Sequence, residues 1–274
     1  MRTAAALFAL FLAACPPVDD DDTSEPVETL DPEPADAPVE AVDGRLTCLG
    51  DNAPPDPVGG AVELTGYIRT LLDPTAEEEP PEFDLEAFSA GGGSLATSFS
   101  NPGNDGRVAV TVPIDDGGFD GYVVLSADDY TDLRFQSSRP TTNTDFGGWA
   151  WLATREELDT TAENLAIDLD PALGLVIGAA HDCDAFGMQN VVIVLDGETD
   201  VAYYVEGFDP VDSRTFSASS GRFAIPDVQP GAIVIKAFGR LEAGGPLTLL
   251  SSISTEVEAG GMTAVALEPR VARQ

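Results

Sequence analysis

Three cysteines, one histidine and 48 acidic residues are the side chains with which this 274-residue chain could do chemistry. The lone histidine, His181, excludes a great deal. A two-histidine zinc site cannot be built. A Ser-His-Asp arrangement would have to use His181, which sits beside Asp182 and Cys183 between predicted strands, and no G-x-S-x-G elbow accompanies it. Carboxylate pairs abound in so acidic a chain, but glycoside hydrolysis also needs a groove, and aromatics are only 7% of the sequence. No catalytic residue and no cofactor are therefore expected. Oxygen-rich turns suit a hard cation such as calcium: Asn101 to Gly106, Asp115, Asp116 and Asp120, and Asp128 to Asp132. None has the spacing of an EF-hand or RTX loop, and Asp, Asn and Gly are the ordinary residues of tight turns. The expectation is no metal, with Asp115, Asp116 and Asp120 as the calcium alternative. Trp149 and Trp151, two apart, place both indoles on one side of an extended segment. With Tyr203 and Tyr204 they form either a candidate sugar-stacking surface or a packed seam. The net charge of −35 argues against nucleic acid as a partner, because each phosphate contact needs a cation.

The first fifteen residues hold a different kind of chemistry. Arg2 is followed by an apolar run from Ala4 to Leu12, too short to stay in a bilayer as a spanning helix, and the run closes on Leu12-Ala13-Ala14-Cys15. Those four residues resemble the lipobox of bacterial lipoproteins. The resemblance implies cleavage before Cys15, a diacylglyceryl group on its sulfur and a further acyl chain, such as palmitate, on its new amino terminus. Two or three acyl chains, at about 0.8 kcal/mol per buried methylene, make attachment effectively permanent. The membrane is then a partner through the anchor, and the expected location is the bacterial cell envelope. Pro16 stands where an aspartate retains some lipoproteins at the inner membrane, so the outer membrane is expected. With Cys15 acylated, Cys48 and Cys183 remain in an oxidising compartment, where the alternatives are a disulfide between them, the preferred reading, or two unpaired thiols.

The elements that position these residues read as short strands and turns. From Pro16 to Asp43 the chain is rich in Asp, Glu and Pro with no aromatic residue, which predicts a disordered acidic tether over 15–58; the roughly thirty residues of that acidic stretch, extended at ~3.1 Å per residue, reach up to about 90 Å. Beyond it lies an internal repeat. Val62 to Ile68 and Leu175 to Ala180 are β-prone segments carrying Gly66 and Gly178, and Gly106-Arg107-Val108 and Gly221-Arg222-Phe223 follow them. The glycine pairs are offset by 112 and 115 residues, as two copies of one module require. Val108, Val110 and Val112 alternate with Ala109 and Thr111, and Phe223 and Ile225 alternate with Arg222 and Ala224, the pattern of half-buried strands. Gly121 to Leu125 and Ala232 to Ala237 read as further strands. Between the copies, Thr154-Arg155-Glu156-Glu157 is a capping box, Leu158, Ala162 and Leu165 share one face, and Pro171 ends a short helix.

Val176 to Leu195, followed by Gly221-Arg222-Phe223-Ala224-Ile225 and Val228-Gln229-Pro230-Gly231, resembles the carboxypeptidase regulatory-like domain over about 173–269. A weaker related copy covers about 60–140, with Pro113 to Asp116 where the P-G turn should be. The resemblance implies an all-β fold of two tandem transthyretin-like (prealbumin-like) β-sandwiches joined by a short helix. The predicted division is a signal peptide at 1–14, the tether at 15–58, sandwiches at 59–140 and 173–270, and a helical linker at 141–172. The functional expectation is a non-catalytic envelope lipoprotein acting as a structural or adhesive module with a glycan or an envelope protein as partner. Carbohydrate binding through exposed aromatics, calcium-assisted, is the alternative.

Overall fold

The computed structural model describes residues 28–49, 60–70, 81–99, 106–114, 118–137, 144–163, 167–199, 201–206, 209–211 and 214–269. Cys15, Asp115, Asp116 and Leu165 lie outside them. Among the described residues the fold is all-β apart from one helix. In its first half the strands are β1 (Ala61–Thr70), β2 (Asp84–Ser89), β3 (Ser94–Phe99), β4 (Arg107–Pro113), β5 (Gly121–Ser126), β6 (Leu133–Ser137) and β7 (Thr144–Leu152). Helix α1 (Arg155–Glu163) follows. The second half supplies β8 (Gly174–Ala180), β9 (Val192–Leu195), β10 (Tyr203–Glu206), β11 (Asp209–Val211), β12 (Arg222–Val228), β13 (Gly231–Arg240), β14 (Leu247–Val257) and β15 (Met262–Leu267). The alternating valines of β4 do what their period requires: Val108, Val110 and Val112 are buried while the residues between them face out.

The repeat is real in topology as well as in sequence. β1 lies between antiparallel β4 and parallel β7, and β8 lies between antiparallel β12 and parallel β15. Gly106 and Gly221 occupy the same place in the two copies, one residue ahead of β4 and of β12, at φ 77° and 68°, where a side chain is disfavoured. Each carbonyl accepts the amide at the end of the partner strand, Ile68 to Gly106 and Ala180 to Gly221, both at 2.9 Å.

The copies are not joined by a helix alone. β15 pairs in parallel with β8 on one side and with β6 on the other, fusing a sheet of each copy into one nine-stranded sheet in the order β11-β10-β12-β8-β15-β6-β5-β2-β3. Two three-stranded sheets, β4-β1-β7 and β14-β13-β9, complete the layers. Met262, Ala264 and Ala266 enter the core that contains β1 and β4, whereas Val265 and Leu267 enter the core that contains β13 and β14. Since successive side chains point to opposite faces, the small sheets cover opposite faces of the shared sheet. All six residues of β15 are buried. A strand covered on both faces needs no polar alternation, and Met-Thr-Ala-Val-Ala-Leu shows none. Across the join, the Arg134 guanidinium reaches Glu256 at 3.2 Å and the Gln136 amide donates to the Ser254 carbonyl at 2.9 Å.

The tether boundary needs correction. Residues 28–49 form an ordered strap over the second copy, with bridges Thr29 to Thr248 and Asp43 to Gln189. Leu30 and Ala37 pack on Val192, Val194, Phe238 and Leu247, and Val42, Leu46 and Leu49 pack on the second core. Composition pointed to disorder because the strap has little apolar surface of its own. It is ordered by surface and cations that the second copy presents.

Candidate functional site

The densest polar cluster is where the strap meets the second copy. At its centre Arg240, 9% exposed at the end of β13, donates to both carboxylate oxygens of Glu33 (2.6 and 3.1 Å), to the Pro38 carbonyl at 2.6 Å and to the Gly245 carbonyl. The Leu247 amide donates to the same Glu33 carboxylate at 3.0 Å. These bonds, that of Arg240 foremost and that of Leu247 next, hold the Glu33 carboxyl below its ordinary value of 4.5. Glu28 and Lys236 form a second ion pair at 2.7 Å. Gly239, beside Arg240, leaves room for the strap: a Cβ there would lie 2.2 Å from Val42.

The far end of the strap is locked covalently and by charge. Cys48 and Cys183 form a disulfide 135 residues apart in sequence. Next to it Asp182, 5% exposed, accepts the backbone amides of Arg45, Asp184 and Phe186, each at 2.9 Å. Burial pushes the Asp182 carboxyl up, but those amides outweigh it and leave the group below its usual range. His181 bridges Gly187, and its amide donates to the Leu267 carbonyl at 2.8 Å. Burial lowers its imidazole below the ordinary 6.5; Glu268 and Asp182 oppose that shift and Arg222 adds to it.

The predicted aromatics separate. Tyr204 is 1% exposed in the second core and its hydroxyl accepts the Ile193 amide at 2.8 Å, so it cannot stack on a sugar. This corrects the ligand-binding expectation for Tyr204; a strand with two adjacent tyrosines must turn one of them inward, and Tyr203 is the half-buried one. Trp149 and Trp151 lie in β7, with Trp151 paired to Arg69, and their side chains fall outside the described residues. Of the calcium alternative only Asp120 is described: it is half-buried and its backbone carbonyl accepts the Ala90 amide at 2.9 Å. Among the described residues no group of three or more His, Cys, Asp or Glu side chains could hold a metal ion.

A shallow depression beside α1 is lined by Arg155, Leu158, Asp170, Leu173, Asp227 and Gly260. Its polar groups answer one another, Arg155 to Asp159 and to the Leu169 carbonyl, and the Asp170 amide to Asp227. The residues that sequence reasoning missed are Glu33, Asp182 and Arg240. The available signal was Arg240 itself, a cation closing the apolar strand Gly231–Arg240, together with Lys236 in a chain where acids outnumber bases 48 to 13.

No model of a protein family matches the chain, and no curated protein matches it. Among solved structures it is similar to the TIE protein of Bacillus anthracis (10% identity, 77% of this chain and 35% of that one, TM-score 0.25). It is also similar to a streptococcal ancillary pilin (12% identity, 79% and 64%, TM-score 0.23). A third is a pair of B repeat units of the collagen binding protein of Staphylococcus aureus (11% identity, 76% and 48%, TM-score 0.20). The chain spans less than two-thirds of the length of each. The all-β architecture rests on the strand pairings themselves.

Proposed function

We propose that this chain is a non-catalytic lipoprotein of the bacterial cell envelope, held to the outer membrane by acyl chains on Cys15, whose β module is a structural or adhesive element. The observation that carries the structural part is the join. Domains that merely touch are expected to move against one another, whereas here β15 is hydrogen-bonded into both copies and buried on both faces. A rigid element suits a spacer or platform. The docked strap also shortens the reach: twelve residues, Pro16 to Val27, lie between Cys15 and Glu28, a span of at most about 40 Å at ~3.1 Å per residue step. The glycan reading retains Trp149 and Trp151 but has lost Tyr204 to the core.

A melting screen of the chain from Pro16 onward, against calcium, magnesium and a set of glycans, tests the reading. A ligand that binds the folded state raises its stability by about 2.7 kcal/mol at a hundredfold excess over Kd. A structural module shows no shift. A glycan-induced rise lost in Trp149→Ala or Trp151→Ala overturns the spacer reading in favour of carbohydrate binding, and a calcium-induced rise lost when Asp115, Asp116 and Asp120 become asparagine favours a metal. For the anchor, Cys15→Ala leaves the protein unacylated and either uncleaved or in the soluble fraction; a correctly cleaved variant still in membranes would refute it.

A further inference from the structure

Among the described residues, every hydrogen bond and ion pair that links the strap to another part of the chain runs to residues 182–249 of the second copy. They begin with Glu28 to Lys236 and Leu249, pass through Glu33 to Arg240, the Asp36 carbonyl to Thr215, the Val39 carbonyl to Gly244 and the Ala41 carbonyl to Asn190, and end with Arg45 to Asp182 and Asp184. Its apolar residues likewise meet the second core and the outer face of β9, β13 and β14. Yet the strap leads directly into the first copy, since β1 begins at Ala61. It is therefore bound as an extended peptide would be, by two bridges, three ion pairs and a shallow apolar seat. The seat is charge-selective: in a chain of net charge −35 it presents Lys236 and Arg240 to Glu28 and Glu33.

We propose that this seat, on the outer face of β9, β13 and β14, is an interaction surface for a second copy of the chain, whose strap exchanges with the resident one. The exchanged strap makes the same contacts, because the surface it occupies is identical in the two chains and, among the described residues, none of its bonds runs to the first half to which it is attached. The Cys48–Cys183 bond then forms between chains. Two thiols lose two protons and two electrons to a small-molecule disulfide, which leaves as two thiols, and one sulfur–sulfur bond replaces another.

Complementary charge reversal tests exchange directly. In the full chain carrying Cys15→Ser, Glu33→Arg sets two guanidinium groups against each other within a monomer, and Arg240→Glu sets two carboxylates together. Exchange between the two variants restores both pairs at once. Each variant is refolded from denaturant and reductant in a glutathione redox buffer, alone and as an equimolar mixture. The mixture is expected to give at least tenfold more reductant-sensitive dimer than either variant alone, and the double variant Glu33→Arg/Arg240→Glu to give the same dimer fraction as the chain with both residues unchanged, because its pair is restored within a chain and between chains alike. A mixture no more dimeric than its components, with the double variant folded, overturns the proposal. Should the single variants not fold, Cys48→Ser mixed with Cys183→Ser carries the test: a Cys48–Cys183 linked peptide after digestion can arise only between chains, and its absence also overturns the proposal.

Discussion

Arg240 is held by four acceptor atoms, and removing it leaves Glu33, the Pro38 carbonyl and the Gly245 carbonyl facing an apolar seat. Loss of one partner from a buried pair costs about 3–5 kcal/mol, less where one partner keeps solvent contact. Because the Glu33 side chain retains 34% exposure, Arg240→Ala is expected to lower unfolding free energy by about 2–3 kcal/mol in urea titrations. Glu33→Gln should cost about 1–2 kcal/mol, the difference between a charged and a neutral hydrogen bond. The pH dependence follows from direction. The carboxyls of Glu33 and Asp182 are depressed in the folded chain, so their contribution is fully present above the unfolded values near 4.5 and 3.8 and is lost as pH falls through the lower folded ones. Glu33→Gln should flatten that acid limb. His181 works at higher pH: its folded value lies below 6.5, the unfolded chain binds the proton first, and stability declines as pH drops below about 6.5. His181→Asn should remove the decline between pH 7 and 5, and an unchanged slope would show that another group sets it.

β15 and α1 show how differently two elements depend on their surroundings. α1 is locally specified: the Thr154 amide donates to Glu157 at 2.7 Å, the Glu157 amide donates back to the Thr154 hydroxyl at 3.2 Å, and Leu158 and Ala162 are buried, as the capping box and the helical period require. Thr154→Ala should cost about 1 kcal/mol and leave the sheets intact. β15 is specified by its neighbours. A charge on either face meets a core, so Ala264→Glu is expected to cost more than about 3 kcal/mol. Ala109→Glu, on the outward face of β4, should stay within about 1 kcal/mol. Equal costs at the two sites, measured by chemical denaturation, would contradict the assignment of faces.

For the molecule as a whole the disulfide closes a loop that contains the entire first copy and β8. A loop of 135 residues is worth about 5 kcal/mol in the chain-entropy model. Reduction should therefore lower the melting temperature while leaving a folded β protein, because the strap keeps its ion pairs and bridges. Protein isolated without reductant should show neither Cys48 nor Cys183 as a free thiol after denaturation. Everything that depends on neighbours in sequence was legible before the structure: the alternation of Val108, Val110 and Val112, the capping box at Thr154, and the repeat that sets Gly66 and Gly178, and Gly106 and Gly221, at matching positions. The Cys48 and Cys183 pair was legible too, from thiol counting and the expectation of an oxidising compartment. What was not legible depends on residues brought together from far apart. Met262 meets Leu133 across the join, and Glu33 meets Arg240 across more than two hundred residues. A strand's own period says which face is apolar but not which edge it will join, and an acidic segment looks disordered until the cations that order it are known. The fusion of the two copies, the burial of Tyr204 and the docking of residues 28–49 were therefore decided by packing, where apolar faces and opposite charges distant in sequence find one another.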